Sequence, residues 1–277
     1  MKKICLLVLS AFLMAAFAGP HYAKQKEEDY SIAYINDYDG DCELKRKGQS
    51  TGEAILDIFI PLYRGDTVIT GAGSKLEIVF DDATIMRLDP NSRLVIKELK
   101  REKSAATVLE LIKGRVMGVV KKLTKQEEFT VRTKMAMAAV KGTELLVETG
   151  DEDKVAVFEG AVEVSNLDMD GKVRSRVILD KDREITVVKR LKGPARPEKL
   201  SRNFVKKYNE ITDLRKKIEL VREHRRSKSS REYRLERRLQ RIENLKMMRS
   251  DRAMMKNMTP EQRRLMDEMI RQEEFYR

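Results

Sequence analysis

The sequence is poor in the residues that most enzymes and metal proteins rely on. Its 277 residues include two cysteines and two histidines. Cys5 lies in an apolar N-terminal run, which leaves Cys42 without a cysteine partner for an internal disulfide. His21 and His224 lie far apart in the sequence, so there is no histidine–cysteine cluster of the kind that binds zinc.

The sequence motifs of nucleotide and serine chemistry are also missing. There is no Walker loop, no dinucleotide-binding glycine pattern and no G-x-S-x-G nucleophile motif. Carboxylate pairs such as Asp81 and Asp82 fall in predicted turns, which are solvated. These absences predict a protein that is not an enzyme and that has no catalytic residues, no cofactor and no bound metal.

The N-terminal apolar run is too short for an ordinary membrane-spanning helix. Ile4 to Phe17 is about fourteen residues long, whereas a spanning helix needs about twenty. The run follows two lysines and ends in the small-x-small pattern of a cleavage site before Gly19. We therefore expect residues 1–18 to be a signal peptide, with an alternative cut after Ala23. The mature protein is then periplasmic or secreted, and a retained anchor is the alternative.

The sequence does contain a long series of short apolar segments with a period of two. Leu76, Ile78 and Phe80 alternate with Lys75 and Glu77, and similar segments follow at a spacing of roughly ten residues. Turn-forming residues lie between them, as in the run from Asp89 to Ser92. This rhythm predicts an all-β region.

The turn residues of this region recur in a definite order. The ordered elements are Gly65-Asp66, Thr70-Gly71-x-Gly73-Ser74, Phe80-Asp81-Asp82-x-Thr84, Leu88-x-Pro90-Asn91-Ser92, Leu111-x-x-Gly114-x-Val116, Ala139-Val140-x-Gly142-Thr143 and Val157-x-x-Gly160-x-Val162. The set resembles the FecR domain and extends over about Tyr30 to Val188. In one departure, Asp82 stands where the family has a turn glycine.

The resemblance implies a β domain at residues 30–190 and a role in signalling. FecR-like proteins are inner-membrane regulators whose periplasmic domain senses an outer-membrane receptor and whose cytoplasmic part controls a sigma factor. We expect no sigma-factor control here, because no cytoplasmic segment precedes the apolar run. The matching residues are expected to shape turns: Gly65, Asp66, Gly73, Ser74, Asp81, Thr84, Pro90, Asn91, Ser92, Gly114, Gly142, Thr143 and Gly160.

The expected fold class is a mainly β domain of short stacked strands, solenoid- or roll-like, followed by a basic α-helical hairpin or bundle. The stacking is suggested by a weak internal echo. Leu111-x-x-Gly114-x-Val116 recurs 46 residues later around Gly160. Chance recurrence in a small alphabet is the alternative explanation.

The C-terminal region has a different period and a different charge. Gly193, Pro194 and Pro197 mark residues 191–197 as a linker. Residues 198–277 carry 24 lysines and arginines against 14 acidic residues, which accounts for most of the net charge of +12. An apolar stripe with helical spacing follows the linker: Phe204, Tyr208, Ile211, Leu214, Ile218 and Val221. Two further helices are predicted, from Ser229 and from Thr259, and the three stripes suit a bundle or coiled coil.

Three functions fit these observations. The first is an exported adaptor whose β domain binds an envelope protein. The second is a sensor component of FecR-type transmembrane signalling. The third is binding of anionic lipid or polysaccharide through the basic tail. Self-association through the C-terminal helices is a further expectation. Nucleic acid is disfavoured as a partner, because export removes the protein from it and the tail has few aromatic residues for stacking.

Overall fold

The computed structural model describes residues 33–99, 106–124, 126–188 and 196–227, with the single residues 239, 259, 260, 263, 264 and 267. These residues form seventeen strands and two helices. The strands are β1 (Ala33–Asp39), β2 (Cys42–Lys45), β3 (Glu53–Ala54), β4 (Pro61–Leu62), β5 (Thr67–Thr70), β6 (Lys75–Phe80), β7 (Ile85–Leu88), β8 (Arg93–Glu98), β9 (Ala106–Val119), β10 (Glu128–Arg132), β11 (Ala136–Val140), β12 (Glu144–Thr149), β13 (Asp153–Glu159), β14 (Ala161–Leu167), β15 (Val173–Asp180), β16 (Arg183–Val187) and β17 (Glu198–Lys199). The helices are α1 (Arg202–Val205) and α2 (Tyr208–Ser227).

The strands form two packed sheets that share one long strand. The central sheet has the order β4-β1-β6-β7-β9-β12-β13-β16-β17, and the outer sheet has the order β3-β2-β5-β8-β9-β10-β11-β14-β15. The N-terminal half of β9 pairs with β8 and β10, and its C-terminal half pairs with β7 and β12. Neighbouring strands are antiparallel except β9 and β10, which run parallel. The prediction of a mainly β fold of stacked strands is confirmed.

The main hydrophobic core lies between the two sheets. Leu76 and Ile78 of the central sheet meet residues of the outer sheet such as Leu94 and Leu109, and all four are fully buried. Strand residues of the same parity continue this core along both sheets, as the period of two predicts. Burying each of these aliphatic side chains stabilises the fold by roughly 1.5–3 kcal/mol.

A second core lies on the opposite face of the central sheet, beneath α2. Residues of the other strand parity, including Val79, Met117 and Leu146, pack there against the helix. The predicted stripe supplies the helix side of this contact: Phe204, Ile211, Leu214, Ile218 and Val221 are buried, with Tyr208 partly buried. The molecule is therefore three layers deep, with an outer sheet, a central sheet and a helix.

This packing corrects the expectation that the first helical stripe faces other helices. The stripe faces the central sheet, because that sheet is apolar on both faces and its second face needs a cover. The predicted signal peptide lies outside the described residues, as do nearly all of the second and third helices. Pro260 is helical, and the Arg263 amide donates to the Thr259 carbonyl at 3.1 Å.

One strand runs through a position that was expected to shape a turn. Gly114 lies inside β9, which continues through it without a break. Gly114 has a φ of +87°, and this bends the strand from the outer sheet into the central one. Strand β1 extends to Asp39, with an irregularity in its pairing with β6 after Ile35.

Left-handed backbone conformations mark most points where the chain passes between the sheets. Positive φ occurs at such passages at Gly40, Phe59, Gly65, Gly73, Asn91, Gly114, Gly142, Gly160 and Asp182.

Within the described residues, no helix combines the length and apolar character needed to cross a membrane.

Candidate interaction surfaces

The first part of the predicted turn motif lies where β4 leads into β5. The carboxylate of Asp66, which is 2% exposed, accepts a hydrogen bond from the Tyr63 amide at 2.9 Å. It also forms an ion pair with Arg46 at 2.6 Å. Its carbonyl accepts from the Ile96 amide at 2.9 Å. Gly65 precedes it with a φ of +96°. These contacts tie the entry of β5 to β2 and β8.

The Pro90-Asn91-Ser92 corner forms the centre of a buried hydroxyl network. The Thr70 hydroxyl donates to the Asp89 carbonyl at 2.7 Å and accepts from the Ser92 amide at 3.0 Å. The Ser92 hydroxyl accepts from the Arg115 amide at 2.9 Å and lies 3.1 Å from the Arg115 carbonyl, to which it donates. The network thus ties the ends of β5 and β7 to the bend of β9, and Asn91 turns the corner with a φ of +57°.

The bend in β9 depends on the absence of a side chain at Gly114. A Cβ there would lie 2.7 Å from the Cα of Ser92 and 2.3 Å from its hydroxyl. Both the positive φ and this close approach therefore require glycine. This is the position that allows one strand to serve two sheets.

The second half of the motif repeats this arrangement. Gly142 and Gly160 lie at neighbouring passages, and a Cβ on Gly160 would lie 2.9 Å from the Gly142 carbonyl. The Thr143 hydroxyl donates to the Ala161 carbonyl at 2.8 Å, and the Thr143 carbonyl accepts from the Val120 amide at 3.0 Å. In both halves of the β domain, a threonine hydroxyl therefore forms a hydrogen bond at a point where the chain passes between the sheets.

The departure from the family pattern falls in the β6–β7 turn, next to Asp81. The residue with positive φ is Ala83, at +66°, rather than Asp82. Asp82 instead accepts from the Thr84 amide at 2.8 Å, and the buried Thr84 hydroxyl accepts from the Lys121 amide at 3.1 Å.

The remaining motif pair, Gly73 and Ser74, turns the chain between β5 and β6. The Ser74 hydroxyl accepts from the Asp41 amide at 2.8 Å. Taken together, the motif residues are spread over several strand ends and are not gathered around a common cleft.

The charged groups converge elsewhere, along the contact between α2 and the central sheet. Glu77, 4% exposed, receives two hydrogen bonds from Arg87 at 2.8 and 3.1 Å and one from Lys217 at 2.7 Å. Lys217 also lies 3.3 Å from Asp37. Burial raises the pKa of Glu77, but Lys217 and Arg87 outweigh it and hold that pKa below its ordinary value.

These residues line an open cleft of about 210 Å³ at the edge of the helix. Its lining consists of Asp37, Tyr38, Asp39, Lys75, Glu77, Arg87 and Lys217. The cleft is small for an organic cofactor, since ligand sites usually enclose about 300–1,000 Å³. Four of its charges already form ion pairs within the cleft, Glu77 with Arg87 and Lys217, and Asp37 with Lys217.

A second set of ion pairs flanks the same helix. Lys207 contacts Asp89 at 3.1 Å and Glu210 at 2.7 Å, and Arg115 contacts Asp89 at 3.3 Å and Glu148 at 2.9 Å. At other points of the contact, Arg215 pairs with Glu144 at 2.5 Å, and the Tyr208 hydroxyl donates to Asp182. Burial, followed by Asp182, raises the pKa of Tyr208 to about 12.

The sequence analysis missed these ion pairs and one further buried carboxylate. Asp153 is 0% exposed and accepts from the hydroxyls of Thr133 and Thr149 and from the Met135 amide. It joins the β10–β11 turn of the outer sheet to the start of β13 in the central sheet. The sequence gives no signal for it, because it follows two residues of an ordinary acidic turn, Asp151 and Glu152.

Among the described residues, no group of three or more histidine, cysteine, aspartate or glutamate side chains is placed to hold a metal. Burial, followed by Asp39 and Asp41, raises the pKa of Cys42 to about 12, so its thiol is protonated and weakly nucleophilic.

Comparison with known proteins finds one family match within the β region. Residues 66–163 match the family described as FecR protein. The match begins just before β5 and ends within β14. The resemblance inferred from the ordered turn motifs is therefore confirmed for these residues.

Two crystal structures are also similar, both of a protein described as a "putative anti-sigma factor" from Parabacteroides distasonis. Each has 19% sequence identity and a TM-score of 0.42, and each match covers 51% of this chain. The match spans 63% of the length of that protein. No curated protein matches the sequence.

Proposed function

We propose, from the premise that residues 66–163 form a FecR domain, that this protein is a sensor component of transmembrane signalling that works by binding a protein partner. The observation that carries the proposal is the family match, which takes in both sheets from β5 to β14. FecR-like proteins use this domain to sense another protein of the cell envelope. The function is thus regulatory and not enzymatic.

The surface chemistry supports a role in contact. Several large apolar side chains are exposed at 41–76%, among them Ile112, Met169, Val173 and Ile178 on the outer sheet and its last hairpin. Exposed apolar side chains close to polar ones are typical of surfaces that bind proteins. The helix side of the molecule also exposes Val205 and Leu220, but the apolar stripe of α2 is buried there and several of its charges are paired.

The place of action is part of the proposal. The N-terminal segment predicts export, and a sensor of this family meets its partner in the cell envelope. The partner is accordingly an envelope protein that exposes a folded or extended segment to the same compartment.

The adaptor function is the second candidate, and it differs in its consequence for the cell. An adaptor holds an assembly together, whereas a sensor changes gene expression when its partner changes state. Binding of anionic lipid or polysaccharide has less support, because Lys207, Arg215 and Lys217 of the basic region already face carboxylates of the sheet.

Photo-crosslinking in intact cells tests the proposal. A crosslinking amino acid at Ile112, which is 49% exposed on the outer sheet, should capture a specific receptor or signalling protein. The matched control is the same probe at Leu220, which is 55% exposed on α2 and should capture that protein much less.

Transcript profiling of a deletion strain separates the two candidates. A sensor predicts altered expression of a discrete set of genes, restored by the wild-type chain. An unchanged transcript profile together with a captured structural protein would favour the adaptor, and capture of no protein at any exposed position would contradict both.

A further inference from the structure

Among the described residues, the two sheets have four end strands, and three of them are very short. The central sheet ends in β4 and β17 and the outer sheet begins with β3, and each of these strands has only two residues. Very short edge strands are a common protection against pairing with another chain. The fourth edge is β15, which has eight residues, and no described strand pairs with its outer side.

The side chains of β15 allow pairing with a strand of complementary charge. The strand contains no proline, and its outward face carries Arg174, Arg176, Ile178 and Asp180, all exposed. Ile178 is 56% exposed. The other face, with Leu179, belongs to the core between the sheets. The strand is therefore a long, anchored edge with charges of both signs.

We propose that β15 pairs with β15 of a second copy of this chain, antiparallel, so that the outer sheets of two copies form one continuous sheet. We assign a second copy as the partner of this edge because the outward face of β15 carries both arginines and an aspartate, so that two copies can pair opposite charges. This inference does not depend on the proposed function.

The register follows from the period of two. Residues opposite each other in an antiparallel pair lie on the same face, so only registers that place outward residues against outward residues keep Leu179 in the core. Two such registers give the longest overlap, seven residues on each strand. One places Arg176 against Arg176 of the second copy, which is repulsive.

The other register places Val177 on the two-fold axis. Arg174 then lies opposite Asp180 of the second copy, twice in the dimer, and Arg176 lies opposite Ile178. The aliphatic part of the arginine side chain covers the exposed isoleucine. This register therefore pairs opposite charges and buries the apolar residue, and it is the one we assign.

The interface is small. One strand pair contributes main-chain hydrogen bonds and a few side chains, which places it at the low end of specific interfaces, below about 1,200 Å². The expected dissociation constant is micromolar. Within its own chain Arg174 also lies in the field of Asp168, at the exposed β14–β15 turn, and solvent screens that interaction.

Analytical ultracentrifugation of the purified protein over about 1–200 µM tests the pairing. The wild type should show a concentration-dependent monomer–dimer equilibrium. Arg174→Glu and Asp180→Lys should each weaken dimerisation at least tenfold, because each places like charges opposite each other twice. Arg93→Glu, at an exposed arginine of β8 in the same sheet and away from β15, is the matched control, and it should leave the dissociation constant unchanged.

An equimolar mixture of Arg174→Glu and Asp180→Lys supplies the decisive result. In the mixed dimer both charge pairs are restored, so dimerisation should return to near the wild-type constant. This recovery also shows that both variants are folded. A wild type that stays monomeric at 200 µM, single variants that dimerise normally, or a mixture that does not recover would each overturn the proposal.

Discussion

The two faces of the central sheet are covered in different ways. Toward the outer sheet, the strand residues are apolar throughout, as Ile78 and Leu88 illustrate, and the polar groups are confined to the corners. Toward α2, apolar residues alternate with buried charges such as Glu77 and Glu144, which pair with Lys217 and Arg215 of the helix. The first contact defines the fold, whereas the second can be loosened by pH and salt.

The largest expected effect on stability comes from a substitution that disturbs the contact between the two sheets. Gly114→Ala forces a Cβ into the backbone of Ser92 at a φ of +87° and should lower the free energy of unfolding by about 3 kcal/mol. Denaturant unfolding of the whole β domain measures it.

Gly73→Ala is the matched control for this substitution. Its φ is +72°, but an added Cβ would meet nothing within 4 Å. Only the conformational effect, about 1 kcal/mol, should remain. Equal effects at the two glycines would show that the close approach at Ser92 is unimportant.

The next largest effect detaches the helix and leaves the sheets folded. Leu214→Ala opens a cavity in the helix–sheet core and should weaken the docking of α2 by about 2–3 kcal/mol. Hydrogen exchange should rise in residues 208–227 and stay unchanged in the core strands. Leu220→Ala, on the exposed side of α2, should have little effect. Global unfolding by Leu214→Ala would contradict the separation of the two contacts.

A smaller effect concerns the ion pairs of the helix contact. Lys217→Met removes one of the two cations on Glu77 and should lower stability at neutral pH by about 1 kcal/mol, since Lys217 is itself partly exposed. Lys216→Met, on an exposed neighbouring lysine, is the control.

The pH dependence of this effect has a definite sign. The pKa of Glu77 is lowered in the folded state, so its contribution is present above the unfolded pKa and is lost as pH falls through the folded one. Without Lys217 the folded pKa rises, and the loss of α2 protection should begin at a higher pH. An unchanged acid profile by hydrogen exchange would contradict the role given to Lys217.

The smallest expected effect is an increase in stability. Ala83 holds a φ of +66° in the β6–β7 turn, where glycine avoids the steric cost of a Cβ. Ala83→Gly should raise the free energy of unfolding by up to about 1 kcal/mol, partly offset by lost burial of the methyl group. Thermal unfolding measures it, and a destabilised variant would show that the methyl contact matters more than the backbone.

Much of the β domain was predictable because its signal is local. The alternation around Leu76 and the turn residues from Asp89 to Ser92 each act within a few residues. The first correctly predicted strand β6, and the second correctly predicted the turn before β8. The positions of opposite parity, Val79 and Ile85, are also apolar, and this could have indicated that the central sheet is covered on both faces.

The rest depended on contacts between distant parts of the chain. The pairing of Lys217 with Glu77 joins residues 140 apart, and buried Asp153 accepts a hydrogen bond from Thr133, which is 20 residues away in the β10–β11 turn. No period or spacing encodes such meetings. The continuity of β9 through Gly114 was hidden for a similar reason, since a glycine flanked by strands reads as a turn until its neighbours are known.

The course of β9 has a consequence for how the chain folds during synthesis. A chain made from its N-terminus presents β7 and β8 before β9, their remaining pairing partner, has been made. Once β9 emerges it receives β7 and β8 and then offers its other side to β10 and β12. Before β9 is available, the early strands expose unpaired edges and apolar surface that can aggregate. This is the interval in which a chaperone is most needed.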